Sequence, residues 1–532
     1  MMEKQKPIIK VVMIVLAAFL LLMPFAGCAA EEVEEEPVAE EEVVAEEEEE
    51  VLTEEEGPKY GGTLRVAYTP DLFSFDPPLL SGAADILVVH QAYECLVERN
   101  PDWTLRPLLA KSWEANDDLT QWTFVLERGV KFSHGKEMTS EDVVYSFDRL
   151  FEVESPFASV ISMVEDVVAV DDYTVRFDLS SGTAFLPDLI SRYHCKITPS
   201  DIDPERLATE TFGTGPFILT ENVVGERTVM EKNPNYWWEG YPYLDEVIFI
   251  YFADPETRAE ALKSGTVDAI MNMVVPSIPT IEADPGLKLS LIPSALQMNM
   301  LFNVTEPPFD DILVRKAVQA ATDRQAILDA AVFGYGGIAY DHPIVPTDPH
   351  FNAAAKPPDY DPELAKSLLE QAGYDDGIDI TLYTSTLGVP LVEMATVMKE
   401  KAEPAGIRID IQVMPEAGYW SEVWMAKPFV CSYWGGRIPD EAFSIQYLST
   451  AAWNETSYVN PRVDELIILA RTQRELADRQ ETYGELQEIL IDEVPKIVPV
   501  FMPILHGMRN NVMGLEAKPH GDPWCRYIWL DD

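Results

Sequence analysis

The chain has few cysteines, few histidines and few basic residues for its length. Its 532 residues include 5 Cys, 7 His and 39 Lys plus Arg, against 91 Asp plus Glu, so the net charge is −52. A protein this acidic is repelled by nucleic acid and by anionic lipid. Since no local basic patch stands out in the sequence, we expect no nucleic-acid partner.

The common short signatures of enzymes and metal sites are also missing. The sequence contains no Walker-type glycine loop, no Gly-x-Gly-x-x-Gly, no His-Glu-x-x-His and no Gly-x-Ser-x-Gly. Their absence argues against nucleotide binding, zinc hydrolysis and serine hydrolysis. The histidines are scattered, and none lies at ligand spacing from another. We therefore predict a protein that is not an enzyme and has neither a metal site nor a cofactor.

Four of the five cysteines lie far apart in the sequence and lack Cys-x-x-Cys spacing. They allow three disulfide pairings or none. Buried free thiols are favoured, because a chain of this length does not need covalent cross-links to be stable. The four are Cys95, Cys195, Cys431 and Cys525.

The N-terminus has the layout of an export signal over residues 1–27. Three lysines precede or interrupt the start of an apolar stretch, which ends in small residues before Cys28. The stretch is too short for a secure membrane span, which needs about 20 apolar residues. Residues 25–28 resemble a lipobox, with Phe25 where leucine is usual, and this resemblance implies that Cys28 is lipidated. The alternative is an uncleaved membrane anchor, and both interpretations place the rest of the chain outside the cytoplasm.

Residues 28–57 are predicted to form an acidic, disordered tether. The segment 31–56 contains 16 glutamates and no Lys, Arg or Asp. Such a segment repels itself and cannot bury enough apolar surface to fold. Without these glutamates the chain still carries a net charge of −36, so the folded part is acidic too.

The remaining 475 residues, from residue 58 onwards, show helix and strand signals in alternation, which predicts an α/β fold of two or three lobes. Strands are predicted over 121–126 and 173–179, where apolar residues alternate with polar ones. Helices are predicted after capping residues, and Gly265 and Gly373 are predicted to end two of them. The predicted caps are Thr139 with Asp142, Asp254 before Pro255, Asp361 before Pro362, and Asn460 before Pro461.

A series of motifs along the chain resembles the family 5 extracellular solute-binding proteins, the receptors of bacterial ABC importers for oligopeptides, dipeptides and nickel. Each motif alone is weak, but their order and spacing match over nearly the whole mature chain. They lie at 61–67, 74–77, 93–97, 107–113, 129–132, 134–146, 213–217, 233–237, 262–268, 302–303, 307–311 and 314–318.

The resemblance implies a three-lobed periplasmic-binding-protein-like fold (type II, cluster C) with a hinged ligand cleft. Lobe I would comprise 58–100, 213–303 and 507–532, lobe II 101–212, and lobe III 304–506. The chain would cross between lobes I and III near Phe302-Asn303 and Met502-Pro503. It also implies a monomer that binds a small-molecule or peptide ligand and docks on the permease subunits of an ABC transporter.

The predicted ligand site centres on Trp434 and the loop that follows it, including Gly435, Arg437 and Asp440. The segment 415–443 is rich in aromatic residues, which line ligand clefts but also fill cores. From it we select Tyr419 and Trp420. The resemblance adds the loop after the first strand, with Ser74, Phe75 and Asp76, for which a simple turn is an equal alternative.

Arg437 departs from the family pattern. In the peptide receptors the corresponding residue is an aspartate that binds the free α-amino group of the ligand, whereas a guanidinium donates to carboxylate, phosphate or hydroxyl groups. Arg437 binds an anionic or polyhydroxylated ligand, or pairs internally with Asp440 or Glu441, or the loop is shifted so that Asp440 takes the amine-binding role.

The sequence thus predicts a lipid-anchored receptor that delivers a peptide-like or other small solute to an ABC permease. A glycoside-processing enzyme is one alternative, although carboxylates are too abundant in this chain to identify a catalytic pair. A signalling receptor is another, and the sequence does not distinguish it from a transport receptor.

Overall fold

The computed structural model describes residues 57–69, 74–80, 83–387, 389–516 and 523–531. The predicted signal, Cys28 and all but the last residue of the predicted tether lie outside the described residues. Within the described part, no helix combines the length and the apolar character needed to cross a membrane.

The described chain is a mixed α/β structure, as predicted. Its strands are β1 Thr63–Tyr68, β2 Val97–Arg99, β3 Leu105–Pro107, β4 Ala110–Ala115, β5 Gln121–Leu126, β6 Val164–Asp171, β7 Thr174–Leu179, β8 Phe217–Val223, β9 Arg227–Lys232, β10 Glu246–Tyr251, β11 Ala269–Ile270, β12 Leu287–Phe302, β13 Gly337–Ile338, β14 Ile378–Ser385, β15 Ile407–Met414, β16 Phe429–Trp434, β17 Lys496–Arg509, β18 Val512–Met513 and β19 Trp529–Leu530.

The helices between these strands vary from single turns to five turns. They are α1 Ala83–Ala92, α2 Ser140–Glu152, α3 Leu186–Leu189, α4 Pro204–Leu207, α5 Pro255–Lys263, α6 Ile278–Glu282, α7 Ile312–Ala320, α8 Arg324–Val332, α9 Pro362–Gln371, α10 Leu391–Ala402, α11 Pro439–Tyr447, α12 Pro461–Thr472 and α13 Leu476–Glu493. Short 3-10 turns include Tyr193–Cys195, and Tyr419–Val423 is a π-helical turn.

The helix boundaries follow the capping residues read from the sequence. Asp254, Asp361 and Asn460 each accept a hydrogen bond from a backbone N–H in the first turn of α5, α9 and α12, and a proline follows each cap, where its missing N–H costs nothing. Thr139 and Asp142 form the predicted capping box of α2. Gly265 and Gly373, just beyond α5 and α9, adopt positive φ angles of 77° and 87°.

The strands form one large sheet and several smaller ones. The large sheet has the order β15-β14-β16-β12-β17-β11-β1-β10-β9-β8, with β13 also paired to β17. A four-stranded antiparallel sheet has the order β4-β5-β7-β6. In β5 the side chains of Trp122, Phe124 and Leu126 are buried and alternate with less buried neighbours, as the sequence predicts.

Two long antiparallel strands, β12 and β17, join the halves of the large sheet. Residues 287–292 of β12 pair with 504–509 of β17 on the side of β11, and residues 296–301 pair with 496–502 on the side of β16. The register is interrupted between Ile292 and Leu296. Met502 pairs with Leu296, so Phe302 and Met502, at the two predicted crossing points, are not paired with each other.

Apolar side chains are buried in separate cores. One core packs the four-stranded sheet, including Phe124 and Phe177, together with side chains from helices α11 to α13, such as Phe443 and Tyr483. Another lies between the large sheet and helices α7 to α10. Cys95, Cys195, Cys431 and Cys525 are buried, and no disulfide joins any two of them, as expected.

Candidate ligand-binding cleft

Trp434 is the last residue of β16 and is held firmly by a buried polar cluster. Its Nε1 donates to Glu455 Oε1 at 2.9 Å, and Trp424 Nε1 donates to the other carboxylate oxygen at 2.8 Å. Lys496, which is fully buried, donates to Glu455 Oε1 at 2.9 Å and to Gln446 Oε1 at 2.6 Å. The indole is therefore fixed before any ligand arrives.

Arg437 follows two glycines after Trp434 and forms an ion pair with Glu441 on the first turn of α11. Its guanidinium carbon also lies 5.3 Å from the centre of the Trp434 ring, which adds a cation–π contact. One of the three alternatives, internal pairing, is thus present. The Arg437 side chain is still 22% exposed, and its Nε has no hydrogen-bond acceptor within the described chain.

Asp440 forms an ion pair with Arg471 and not with Arg437. One of its carboxylate oxygens accepts from Arg471 Nε at 2.7 Å, and the residue is buried. Burial raises the pKa of the Asp440 carboxyl, and the charge of Arg471 opposes this increase. Asp440 is also not among the residues that line the cavity described next, so the structure does not place it to bind a ligand amine there.

A cavity of about 70 Å³ lies beside Arg437, between segments distant in sequence. Its walls come from α1, from β2 and the residues after it, from residues 188–196 and from residues 437–441. The charged lining residues are four cations, Arg99, Arg192, Lys196 and Arg437, and three carboxylates, Glu98, Asp188 and Glu441. The site is therefore rich in positive charge within a strongly acidic protein.

The electrostatics of Glu441 reflect these cations. Burial alone would raise the pKa of its carboxyl, but the charges of Arg192, Arg437 and Arg99 outweigh burial and lower the pKa below its usual value. Lys196 is 3% exposed and contacts His90 Nδ1 at 3.0 Å. Burial lowers the pKa of the Lys196 ammonium.

Ser74, Phe75 and Asp76, which follow β1, do not line this cavity. Asp76 makes a buried, two-pronged ion pair with Arg149 of α2, with N–O distances of 2.7 and 2.6 Å. Phe75 is buried in the core against β1 and α1, and Ser74 Oγ accepts from the Asp76 backbone N–H at 3.1 Å. Asp76 thus attaches this segment to α2, while Phe75 anchors it in the core.

The aromatic pair Tyr419 and Trp420 separates in the π-helical turn. Tyr419 is fully buried, and its hydroxyl donates to the Cys431 carbonyl at 2.8 Å. Trp420 is 41% exposed and packs edge-on against Trp424 and Tyr433. Gly435 is exposed in the loop after Trp434. Of the predicted site residues, only Arg437 lines the cavity.

Sequence reasoning missed Arg99, Arg192 and Lys196. The signal that could have found two of them is local, because residues 192–196 read Arg-Tyr-His-Cys-Lys, with no acidic residue in a chain where acidic residues outnumber basic ones by more than two to one. Their proximity to Arg437 is a property of the fold.

Comparison with known proteins agrees with this architecture. The model of the bacterial extracellular solute-binding proteins, family 5, matches residues 104–456. A di/tripeptide-binding protein of Pseudomonas aeruginosa is 27% identical over 459 residues, which cover 78% of this chain and 84% of the relative. The haem-binding protein A of Haemophilus influenzae is 33% identical over 334 residues, which cover 57% of this chain and 61% of the relative.

The fold itself matches solved structures. The periplasmic binding protein DppA of Helicobacter pylori, solved with the peptide STSA, superposes with a TM-score of 0.74 at 23% identity and covers 89% of this chain and 99% of its own. Such a level of identity establishes the fold alone. Since the family model spans well over half of the sequence, this chain belongs to the bacterial extracellular solute-binding proteins of family 5.

Proposed function

We propose that this protein is a membrane-tethered receptor that captures a peptide-like or other small solute and delivers it to the permease of an ABC importer. The relatives of this chain support this role, since they include binding proteins for di- and tripeptides, dipeptides and glutathione. In the proposal, lipidated Cys28 and the acidic segment 31–56 hold the receptor near its importer while leaving it free to rotate.

Recognition of the ligand differs from that of an ordinary peptide receptor. The observation that carries this part of the proposal is Arg437, which lines a cation-rich cavity. The family resemblance implies an aspartate at this position in the peptide receptors. A guanidinium repels the protonated α-amino group that a carboxylate would bind. The ligand is anionic or polyhydroxylated, and a free peptide N-terminus is not required.

Capture and release in this proposal depend on a hinge in β12 and β17. The interruption of the register between Ile292 and Leu296, opposite Pro503, is a suitable place, because the two strands pair again on both sides of it. Closure then needs changes in the φ and ψ angles of few residues, and reopening at the permease releases the solute.

Isothermal titration with a library of di- to pentapeptides tests the proposal. Each peptide is offered with a free and with an acetylated N-terminus. We expect binding, where it occurs, to survive acetylation. Tight binding that requires a free amino group would contradict the proposed mode of recognition.

A further inference from the structure

The cations that line the cavity beside Arg437 outnumber the carboxylates available to them. Asp188 pairs with Arg99 at 2.7 Å, and Glu441 pairs with Arg437. The third carboxylate, Glu98, accepts hydrogen bonds from Arg106 and Arg526, which do not line the cavity. Two carboxylates thus remain for four cations.

Arg192 and Lys196 are the two cations left over. Neither forms an ion pair with a carboxylate anywhere in the ranges that the structure describes. Lys196 Nζ lies 3.0 Å from His90 Nδ1 and 4.8 Å from the centre of the Trp524 ring. Arg192 lies 5.5 Å from the ring centre of its neighbour Tyr193. Lys196 is buried and Arg192 is half-buried, and keeping such charges out of water without an ion pair costs free energy. An incoming negative charge lowers that cost, so the site favours an anion.

Two arginines of the cavity also have unused hydrogen-bond donors. The Nε atoms of Arg192 and Arg437 are buried and have no acceptor among the described residues. Guanidinium groups hold carboxylate and phosphate oxygens through paired donors. Neutral hydroxyl groups could accept these hydrogen bonds but bring no negative charge to a cavity in which cations outnumber carboxylates, which favours an anion over a polyhydroxylated ligand.

We infer that the cavity between Arg192, Lys196 and Arg437 binds an oxyanion, a carboxylate or phosphate group of the solute. This inference rests on the proposed function and narrows its ligand class. A cavity of about 70 Å³ holds a few water molecules or one such group, and the rest of the solute extends out of it. Arg192 and Lys196 belong to the predicted lobe II and Arg437 to the predicted lobe III, so the bound group bridges two lobes and favours closure.

The test titrates the full chain with succinate and with inorganic phosphate at constant ionic strength, and with neutral succinamide as the matched uncharged probe. Binding is followed by the fluorescence of the tryptophans, of which Trp103 lines the cavity. We expect saturable binding of at least one anion and none of succinamide. Arg192→Gln and Arg437→Gln should each weaken anion binding by about tenfold or more.

Arg206→Gln is the control, because Arg206 is an exposed cation of the same predicted lobe, 49% accessible and paired with Glu210. It should leave anion binding unchanged. Circular dichroism of each variant establishes that it is folded, and the two arginine variants provide independent tests if one of them is unstable. Equal binding of succinate and succinamide, no binding of either anion, or unchanged affinity in the folded arginine variants would overturn the inference.

The outcomes separate this inference from the proposed function. If the protein binds peptides whose acid groups are blocked, and if Arg192→Gln leaves that affinity unchanged, the proposed function stands and the oxyanion site is wrong. If the protein binds succinate through Arg192 but binds no member of the peptide library, the oxyanion site stands and the peptide-like solute is wrong.

Discussion

Arg437 pairs with Glu441 on the first turn of the helix that follows it, and yet the same guanidinium still faces the cavity. The pair fixes the side chain in place and leaves its Nε without an acceptor among the described residues. Internal pairing and ligand contact are therefore compatible, since one carboxylate uses only part of the donor capacity of a guanidinium.

Replacing Arg437 by aspartate should weaken binding of an anionic solute more than replacement by glutamine does. The aspartate adds a negative charge beside Glu441, whereas the glutamine only removes the positive one. The measurement is titration of succinate into the two variants and the wild type. Equal affinities in all three proteins would show that Arg437 is not a ligand contact.

Removing the carboxylate of Glu441 should make the unfolding free energy of the protein depend less on pH in the acidic range. The pKa of Glu441 is lowered in the folded state, below the value of about 4.3 usual for an unfolded chain. Its contribution to stability is thus complete above that value and is lost as the pH falls through the folded pKa. Urea unfolding at a series of pH values from 6 downwards should show a smaller loss of unfolding free energy in Glu441→Gln than in the wild type. A larger loss in the variant would contradict this assignment.

The pair between Asp76 and Arg149 should contribute to stability and not to ligand affinity. Asp76 is 2% exposed, so Asp76→Asn leaves a buried arginine without its counter-charge, at a cost of about 3–5 kcal/mol. Urea unfolding measures the cost, and the control is Asp379→Asn, which breaks an exposed pair with Arg408 and should change little. A changed affinity for succinate in a folded Asp76→Asn variant would show that Asp76 contributes to the binding site.

Lys496 should also contribute to stability, because it forms an ion pair with Glu455, whose carboxylate accepts a hydrogen bond from Trp434. Both side chains of this pair are fully buried, so Lys496→Met should cost about 3–5 kcal/mol of unfolding free energy. Lys263→Met, on the exposed side of α5, is the matched control. If the two variants unfold at the same urea concentration, the buried cluster does not support the site as described.

Cys28→Ser should move the protein from the membrane fraction to the soluble fraction of cells. The reason is that two acyl chains on Cys28 are the proposed attachment. Cell fractionation with detection of the chain measures the change, and Cys95→Ser, at a buried thiol, should leave the distribution unchanged. Retention of Cys28→Ser in the membrane would favour the uncleaved anchor.

Local features of the fold could be predicted from sequence because their causes are local. Asp254, Asp361 and Asn460 cap helices through hydrogen bonds that span two or three residues, and the alternation in β5 fixes which side chains are buried. The cavity could not be predicted in this way. Arg192 and Arg437 are 245 positions apart in the sequence, and only the packing of distant segments brings them together.

Two neighbouring aromatic residues also differ in burial, for a reason that the composition of the segment does not reveal. Tyr419 and Trp420 are adjacent aromatics, but the π-helical turn buries the first and exposes the second. The register of β12 against β17 likewise depends on irregularities, at Ile292–Leu296 and at Met298–Met300, that the sequence does not mark.

Native mass spectrometry of the full chain as purified, followed by identification of the released solute, tests the central claim most directly. The account predicts a solute that carries a carboxylate or phosphate group and that binds equally well when any amino group it has is acetylated. A solute without an acid group, or one whose binding is abolished by acetylation of its amino group, would contradict it.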